Sequence, residues 1–407
     1  MRISDLSRFA LNVCAVGMLA GCGAGSGAPL SPSLAGLTEK RTPSSVTYEV
    51  LYSFRYGSGD GEYPYAGLLN VEGTLYGTTF YGGANGYGTV FSITRSGTET
   101  VLYSFRRGTD GDTPYARLVN VKGKLYGTTW GGGTNNNGTV FSITRSGAEA
   151  VLHRFKAGAD GEYPYAGVLN VKGTLYGTTV YGGATGDGTV FKITPSGTES
   201  VLYNFQGGTD GDRPYAGLVN VKGTLYGTTN NGGANGLGTV FSIAPSGAET
   251  VLYSFKAGTD GALPEAGLTS VKGTLYGTTW AGGASGHGTV FSVTPSGAET
   301  VLYSFKGSPN DGNGPLAALL NVGGTLYGTT SDGGSGGCVT STGYDLGCGT
   351  VFSVTPSGTE SLLYSFKAAS GDGRRPEAGL ISVKGRLYGT TVFGGATGGG
   401  TVFSLTP

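Results

Sequence analysis

The pentapeptide Leu-Tyr-Gly-Thr-Thr occurs seven times in this chain, beginning at Leu75, Leu125, Leu175, Leu225, Leu275, Leu326 and Leu387. A period of about 50 residues makes each copy one supersecondary unit that buries its apolar face only against the next copy, which leaves a propeller or a solenoid. Each unit divides into four apolar runs. In the second unit these are 115–121, 125–130, 139–144 and 150–155, with tight turns at Lys122-Gly123 and Ser146-Gly147 and a Gly-rich loop running to Gly138. The runs are short, β-branched and aromatic, and no segment keeps a helical period, so each unit reads as four antiparallel strands.

Val90 alternates with Phe91 and Ile93, so both faces of the third strand are apolar. A sheet covered on both sides is what stacked blades provide. The first run opens on small residues (Ala66-Gly67, Ala166-Gly167, Ala266-Gly267), which places it innermost, where strands converge. Residues 46–54 carry a fourth-strand sequence ahead of any first strand, and 401–406 is a third-strand sequence with nothing after it but Pro407. Pairing the two completes the last blade and removes two exposed edges. The reading is all-β: a seven-bladed β-propeller of four-stranded antiparallel blades over residues 46–407, closed by its N-terminal strand. An open β-solenoid is the runner-up.

Composition matters at two points. The 81 glycines and 16 prolines would suit a disordered chain if they lacked a period. Here the glycines recur at fixed positions, and 25 Tyr and 17 Phe supply apolar surface to offset the ordering entropy. The formal net charge is zero and only 13% of residues are charged, so no field for nucleic acid or an anionic membrane surface is expected.

Arg2 and Arg8 accompany a mostly apolar stretch, 9–20, that is too short to span a bilayer and has the length of a signal-peptide core. Leu19-Ala20-Gly21-Cys22 resembles the lipobox of bacterial lipoproteins. That resemblance implies a signal peptide over 1–21 and a lipid on Cys22. Residues 22–45, rich in Gly, Ala, Ser and Pro, then form a flexible tether. An ordinary secretory signal is the alternative. The expectation is an extracytoplasmic, membrane-anchored monomer.

Leu-Tyr-Ser-Phe, Leu-Tyr-Gly-Thr-Thr, the Gly-Gly pair and Gly-Thr-Val-Phe together resemble the bacterial GloVer tandem-repeat family, over roughly residues 48–407. The resemblance implies an extracytoplasmic repeat protein and no defined activity. A weaker likeness to kelch propellers rests on Gly82-Gly83 and Gly132-Gly133; the kelch tryptophan has no equivalent, and kelch partners do not carry over.

Candidate chemistry is sparse. His153 and His287 have no partner at metal or triad spacing, so no catalytic constellation, metal or cofactor is expected. An Asp-Gly pair precedes each first strand, from Asp60-Gly61 to Asp372-Gly373, with a second acid at Glu62, Asp112, Glu162 and Asp212. Two carboxylates per loop are too few for calcium, and an Asx-type turn explains the pair. Cys338 and Cys348, in the only long insertion, are expected to form a disulfide after export.

The candidate ligand face is the one carrying the long loops. Just after the recurring Pro come Tyr65, Tyr115, Tyr165, Tyr215, Glu265, Leu316 and Glu377. Second-strand tips add Phe80, Tyr81, Trp130, Tyr181, Trp280 and Phe393, and the insertion adds Tyr344. Aromatics beside carboxylates suit sugar stacking or a protein hot spot, with blade packing as the plainer explanation. The expectation is a non-enzymatic module binding carbohydrate or a surface protein. A lyase or glycosidase using Glu265 and Glu377 and a structural coat protein are the alternatives.

Overall fold

In the computed structural model, which describes residues 46–57, 59–339 and 342–407, the predicted runs form seven four-stranded antiparallel sheets. The proposed signal segment, Cys22 and the tether lie outside the described residues. The first sheet runs from inner strand Leu69–Val71 through Thr74–Thr79 and Thr89–Ile93 to outer strand Glu99–Ser104. The last sheet takes its outer strand, Thr47–Ser53, from the other end of the propeller, with Thr47 opposite Thr406 and Ser53 opposite Thr401. Inner strands touch in sequence around the ring, and Ile381–Val383 touches Leu69–Val71 to complete it. That cycle excludes the solenoid.

The repeated pentapeptide explains itself at the blade seams. Leu75 is fully buried. A Cβ on Gly77 would stand 2.5 Å from Phe91 Cζ, so only glycine lets the neighbouring strand's ring lie across the sheet. The Thr78 hydroxyl donates to the Ala116 carbonyl of the next blade at 3.2 Å. The bond recurs blade by blade, and the last link, Thr390 to Ala66 at 3.0 Å, joins the seventh blade to the first. Thr79 bonds Thr89 across its own blade at 2.8 Å.

Outer-strand phenylalanines complete each seam. Phe105 packs edge-on against Phe141 of the next blade at 5.1 Å, and Phe54, on the closing strand, meets Phe91 in the same way. Seven apolar clusters result, lying mainly between neighbouring blades. Each such ring contributes roughly 1.5–3 kcal/mol on burial, which is why a sheet apolar on both faces needs neighbours on both sides.

The inner strand is shorter than predicted: Val119–Val121 rather than 115–121. The cause is the residue before the recurring proline. Thr113 has φ 51°, and Tyr63, Tyr163, Arg213, Leu263, Gly314 and Arg375 share that left-handed conformation. It is costly for a side chain, and a following proline ordinarily favours extended backbone. Hydrogen bonds hold it: the Thr113 N–H donates to the Tyr87 carbonyl of the preceding blade, and its carbonyl accepts from the Trp130 N–H. Each blade is thus latched to its predecessor, and the stretch 115–118 leaves the ladder to line the channel mouth. Among the described residues the one helical element is a single turn, Gly158–Asp160, and no helix is long and apolar enough to cross a membrane.

Candidate functional site

The two rims of the ring differ in kind. On one lie two-residue turns such as Lys122-Gly123, with φ 51° and 86°. Both central residues are left-handed, as the type I′ hairpin requires. Asn120 fastens this turn by accepting from the Gly123 N–H at 2.9 Å. These positions vary little in sequence, and a small cavity of about 50 Å³ lies beside the turn at Asn220 and Gly223.

On the other rim the loops after the second and fourth strands meet. In five blades they pair as a two-residue ribbon that the strand pattern did not reveal, as Gly111–Asp112 with Gly131–Gly132. The Asp-Gly aspartate sits beneath it. Asp110 accepts from the Tyr103 hydroxyl at 2.8 Å, the Arg106 N–H at 3.0 Å and the Gly111 N–H at 2.8 Å. Its oxygens already serve the fold, while the glycine of the pair takes the positive φ of such a turn only at Gly161 and Gly211.

The seven positions after the proline line the channel mouth, all of them half-buried. Tyr115 lies between Tyr65 (4.5 Å, stacked) and Tyr165 (4.0 Å), and Tyr165 meets Tyr215 edge-on at 5.1 Å. The expected aromatic arc therefore exists, with much of its ring surface spent on neighbouring rings. The Tyr115 hydroxyl points to Glu377 at 3.4 Å, and Glu377 pairs with Arg375 at 3.2 Å. The Asn230 amide donates to Glu265 at 3.3 Å. Burial first, and then the charge of Glu377, push the Glu265 carboxyl up to about 7. Glu377 is raised too, by burial, against the pull of Arg375.

At the second-strand tips, Phe80, Val180, Asn230, Ser331 and Val392 are buried, while Trp130 and Trp280 are half-exposed at the equivalent place. Trp130 rests on Tyr163 at 4.9 Å. Beside Trp280 stands Gly314, where a Cβ would lie 3.0 Å from the indole nitrogen. In the insertion, Cys338 and Cys348 are disulfide-bonded. Tyr344 is 73% exposed and Val339 63%. Val339 and Leu346 border an open groove of about 260 Å³ that reaches Asp332, Arg375 and Phe393 of the loops alongside.

Spacing gave the histidines no partners, but the fold supplies them. His153 Nε2 lies 3.2 Å from Asp160, taking the place of the tyrosine hydroxyl in the other blades. His287 Nδ1 lies 3.1 Å from Asn313. Sequence reasoning also passed over Tyr63 and Tyr163, which pack on the tip residues Tyr81, Phe393 and Trp130.

A closed seven-bladed β-propeller with one plain rim and one elaborated rim is the class that these features define. The chain belongs to the Gloeobacter/Verrucomicrobia repeat family, whose model matches residues 25–171 and 147–341. No curated protein matches it by sequence. Among solved structures, an ancestral GH74 enzyme aligns with 84% of this chain and 48% of its own, at 12% identity and a TM-score of 0.53. The quinohemoprotein alcohol dehydrogenase of Comamonas testosteroni aligns over 89% and 76%, at 12% identity and 0.51. PorZ, a surface component of the type-IX secretion system of Porphyromonas gingivalis, aligns over 86% and 47%, at 14% and 0.51. At these identities the likeness is one of fold, and such unlike proteins on one architecture transfer no activity.

Proposed function

We propose that the protein is an extracytoplasmic, lipid-anchored binding module that takes a carbohydrate on its long-loop face. The observation that carries this reading is the channel mouth, where Tyr65, Tyr115, Tyr165 and Tyr215 share one half-buried rim with Glu265 and Glu377. Sugars offer apolar C–H faces and hydroxyl groups together, and aromatic rings beside carboxylates answer both. Trp130 and Trp280 are the half-exposed side chains best placed to extend the contact outward. Anchoring rests on the lipobox-like Leu19 to Cys22; Cys22→Ser should move the protein from the membrane pellet to the soluble fraction.

The test is a glycan array probed with the protein from residue 46 onward, followed by titration of whatever glycan binds. Trp130→Ala and Trp280→Ala should each weaken binding by about 1–2 kcal/mol or more, while Lys122→Ala and Lys222→Ala on the opposite rim leave it unchanged. An empty array, or losses on the turn rim instead, removes the proposal. A second reading draws on the coupling between Glu265 and Glu377. A carboxyl held near neutrality is suited to general-acid work in a glycosidase. Release of reducing sugar from the bound glycan, lost in Glu265→Gln, would establish it over simple binding.

A further inference from the structure

Each seam carries a repeated polar contact. At five of them a tyrosine of one outer strand, the Asp-Gly aspartate and the glutamate that opens the next outer strand stand together: Tyr52, Asp60 and Glu99; Tyr103, Asp110 and Glu149; and so on around the ring. Between the second and third blades, histidine replaces the tyrosine. We infer that this seam binds one divalent transition ion, of which zinc is the probe of choice, through His153, Asp160 and Glu199.

The ligand set is built from three parts of the chain. His153 comes from the outer strand Glu149–Arg154, Asp160 from the turn Gly158–Asp160, and Glu199 from the outer strand Glu199–Asn204. One ligand atom from each lies within 4.8 Å of the others. Metal–ligand bonds of about 2.0–2.2 Å from nitrogen and oxygen can join atoms so placed after small side-chain rotations. The histidine supplies what the tyrosine seams lack, a neutral nitrogen donor with affinity for borderline metals.

Two further observations concern the oxygens that the histidine joins. At five seams the glycine after the aspartate donates its N–H to Oδ1, as Gly111 does to Asp110 at 2.8 Å and Gly261 to Asp260 at 2.8 Å. At Asp160, as at Asp210, the glycine turns to positive φ and that bond is not made; the Gly161 N–H goes to the Gly158 carbonyl at 3.1 Å. Oδ1 of Asp160 is thereby released from that bond, while Oδ2 keeps the Lys156 N–H at 2.7 Å. Glu199 Oε1, like that of the five other seam glutamates, is buried and has no hydrogen-bond partner, and only here does an imidazole nitrogen stand beside it. A cation satisfies that oxygen, and three protein ligands leave a fourth position for water. Lys156, whose charge reaches Glu199, is exposed and has room to swing aside. The bound ion then staples the second blade to the third, where a Tyr–Asp hydrogen bond serves at the neighbouring seams.

The experiment is a calorimetric titration of the chelator-stripped protein, free of any affinity tag, with zinc chloride, repeated with cobalt(II) read by its visible absorption. One equivalent of zinc is expected, with a rise in melting temperature as the site fills and a cobalt spectrum of low coordination number. His153→Tyr installs the residue of the other seams, so it should keep the fold and lose the binding. Glu199→Gln, nearly isosteric, should weaken binding at least tenfold. Absence of uptake by the parent protein overturns the assignment, and so does uptake that either variant leaves unchanged.

Discussion

The seam where the chain's N-terminal strand completes the last blade is fastened differently from the rest. At six seams the outer strand opens on a glutamate that sits against the aspartate of the preceding loop, Glu99 near Asp60 being the first and Glu360 near Asp311 the last. At the closing seam the equivalent residue is Tyr48. It stacks on Tyr364 at 4.0 Å, meets Phe366 edge-on at 5.7 Å and leans on Phe403 at 5.8 Å. Blades already joined by the chain tolerate two carboxyl groups at their outer edge. The strand that must arrive from elsewhere is held by aromatic burial instead. The Arg386–Glu49 ion pair beside it, at 2.9 Å and partly exposed on both sides, adds little.

Deleting residues 46–55 gives the largest expected effect. It removes Tyr48 and the buried Phe54 and leaves the edge of 401–406 unpaired. Size-exclusion chromatography should show aggregation, or calorimetry a marked fall in melting temperature; a truncated protein that elutes and melts as the parent does would falsify closure as the source of stability. Next comes Tyr48→Ala, which should cost about 2–3 kcal/mol in denaturant unfolding, less than a core aromatic because Tyr48 is half-buried. Glu99→Gln at a chain-connected seam should cost little at neutral pH, which sharpens the contrast.

The smallest effect is electrostatic. Burial, and then the neighbouring aspartate, push Glu99, Glu149, Glu299 and Glu360 up to about 7 and Glu249 to about 8. Glu199 reaches about 7 by burial and Asp160, against the pull of His153. A carboxyl whose pKa is higher folded than unfolded holds its proton more tightly in the folded state. The stability it contributes is complete below its unfolded pKa and is lost as pH rises through 7 to 8. Melting temperature should therefore decline from about pH 5 to pH 9, and Glu→Gln changes at several seams should flatten that decline. Tyr48 contributes no such slope in this range, so Tyr48→Glu should steepen it.

The ring, its blade count and its closing strand were legible because the 50-residue period and period-two apolar pattern act on every unit alike. Inner-strand ends were not, because left-handed residues as unlike as Tyr63, Arg213 and Leu263 precede the prolines. That conformation is imposed by hydrogen bonds to the previous blade, and no local preference announces it. The channel-mouth tyrosines could be placed on one rim from strand direction alone, whereas their stacking on one another depends on ring radius. The partners of His153 were hidden for a similar reason: Asp160 is 7 residues away and Glu199 lies in the following unit.

The cystine-clamped insertion leaves its blade undisturbed. Thr330 and Thr350 make the cross-strand hydroxyl bond at 2.7 Å although 20 residues separate them where 10 is usual. The Gly349 N–H still reaches the Gly333 carbonyl at 3.1 Å, as Gly138 reaches Gly132. Seven blades on one backbone plan offer a ligand on the axis seven related poses, which the mouth already separates by its four tyrosines, Glu265, Leu316 and Glu377. A single decorated blade adds a second landmark, away from the axis, and gives the ring a fixed azimuth. A partner that touches both the mouth and the insertion then has one orientation in which to dock.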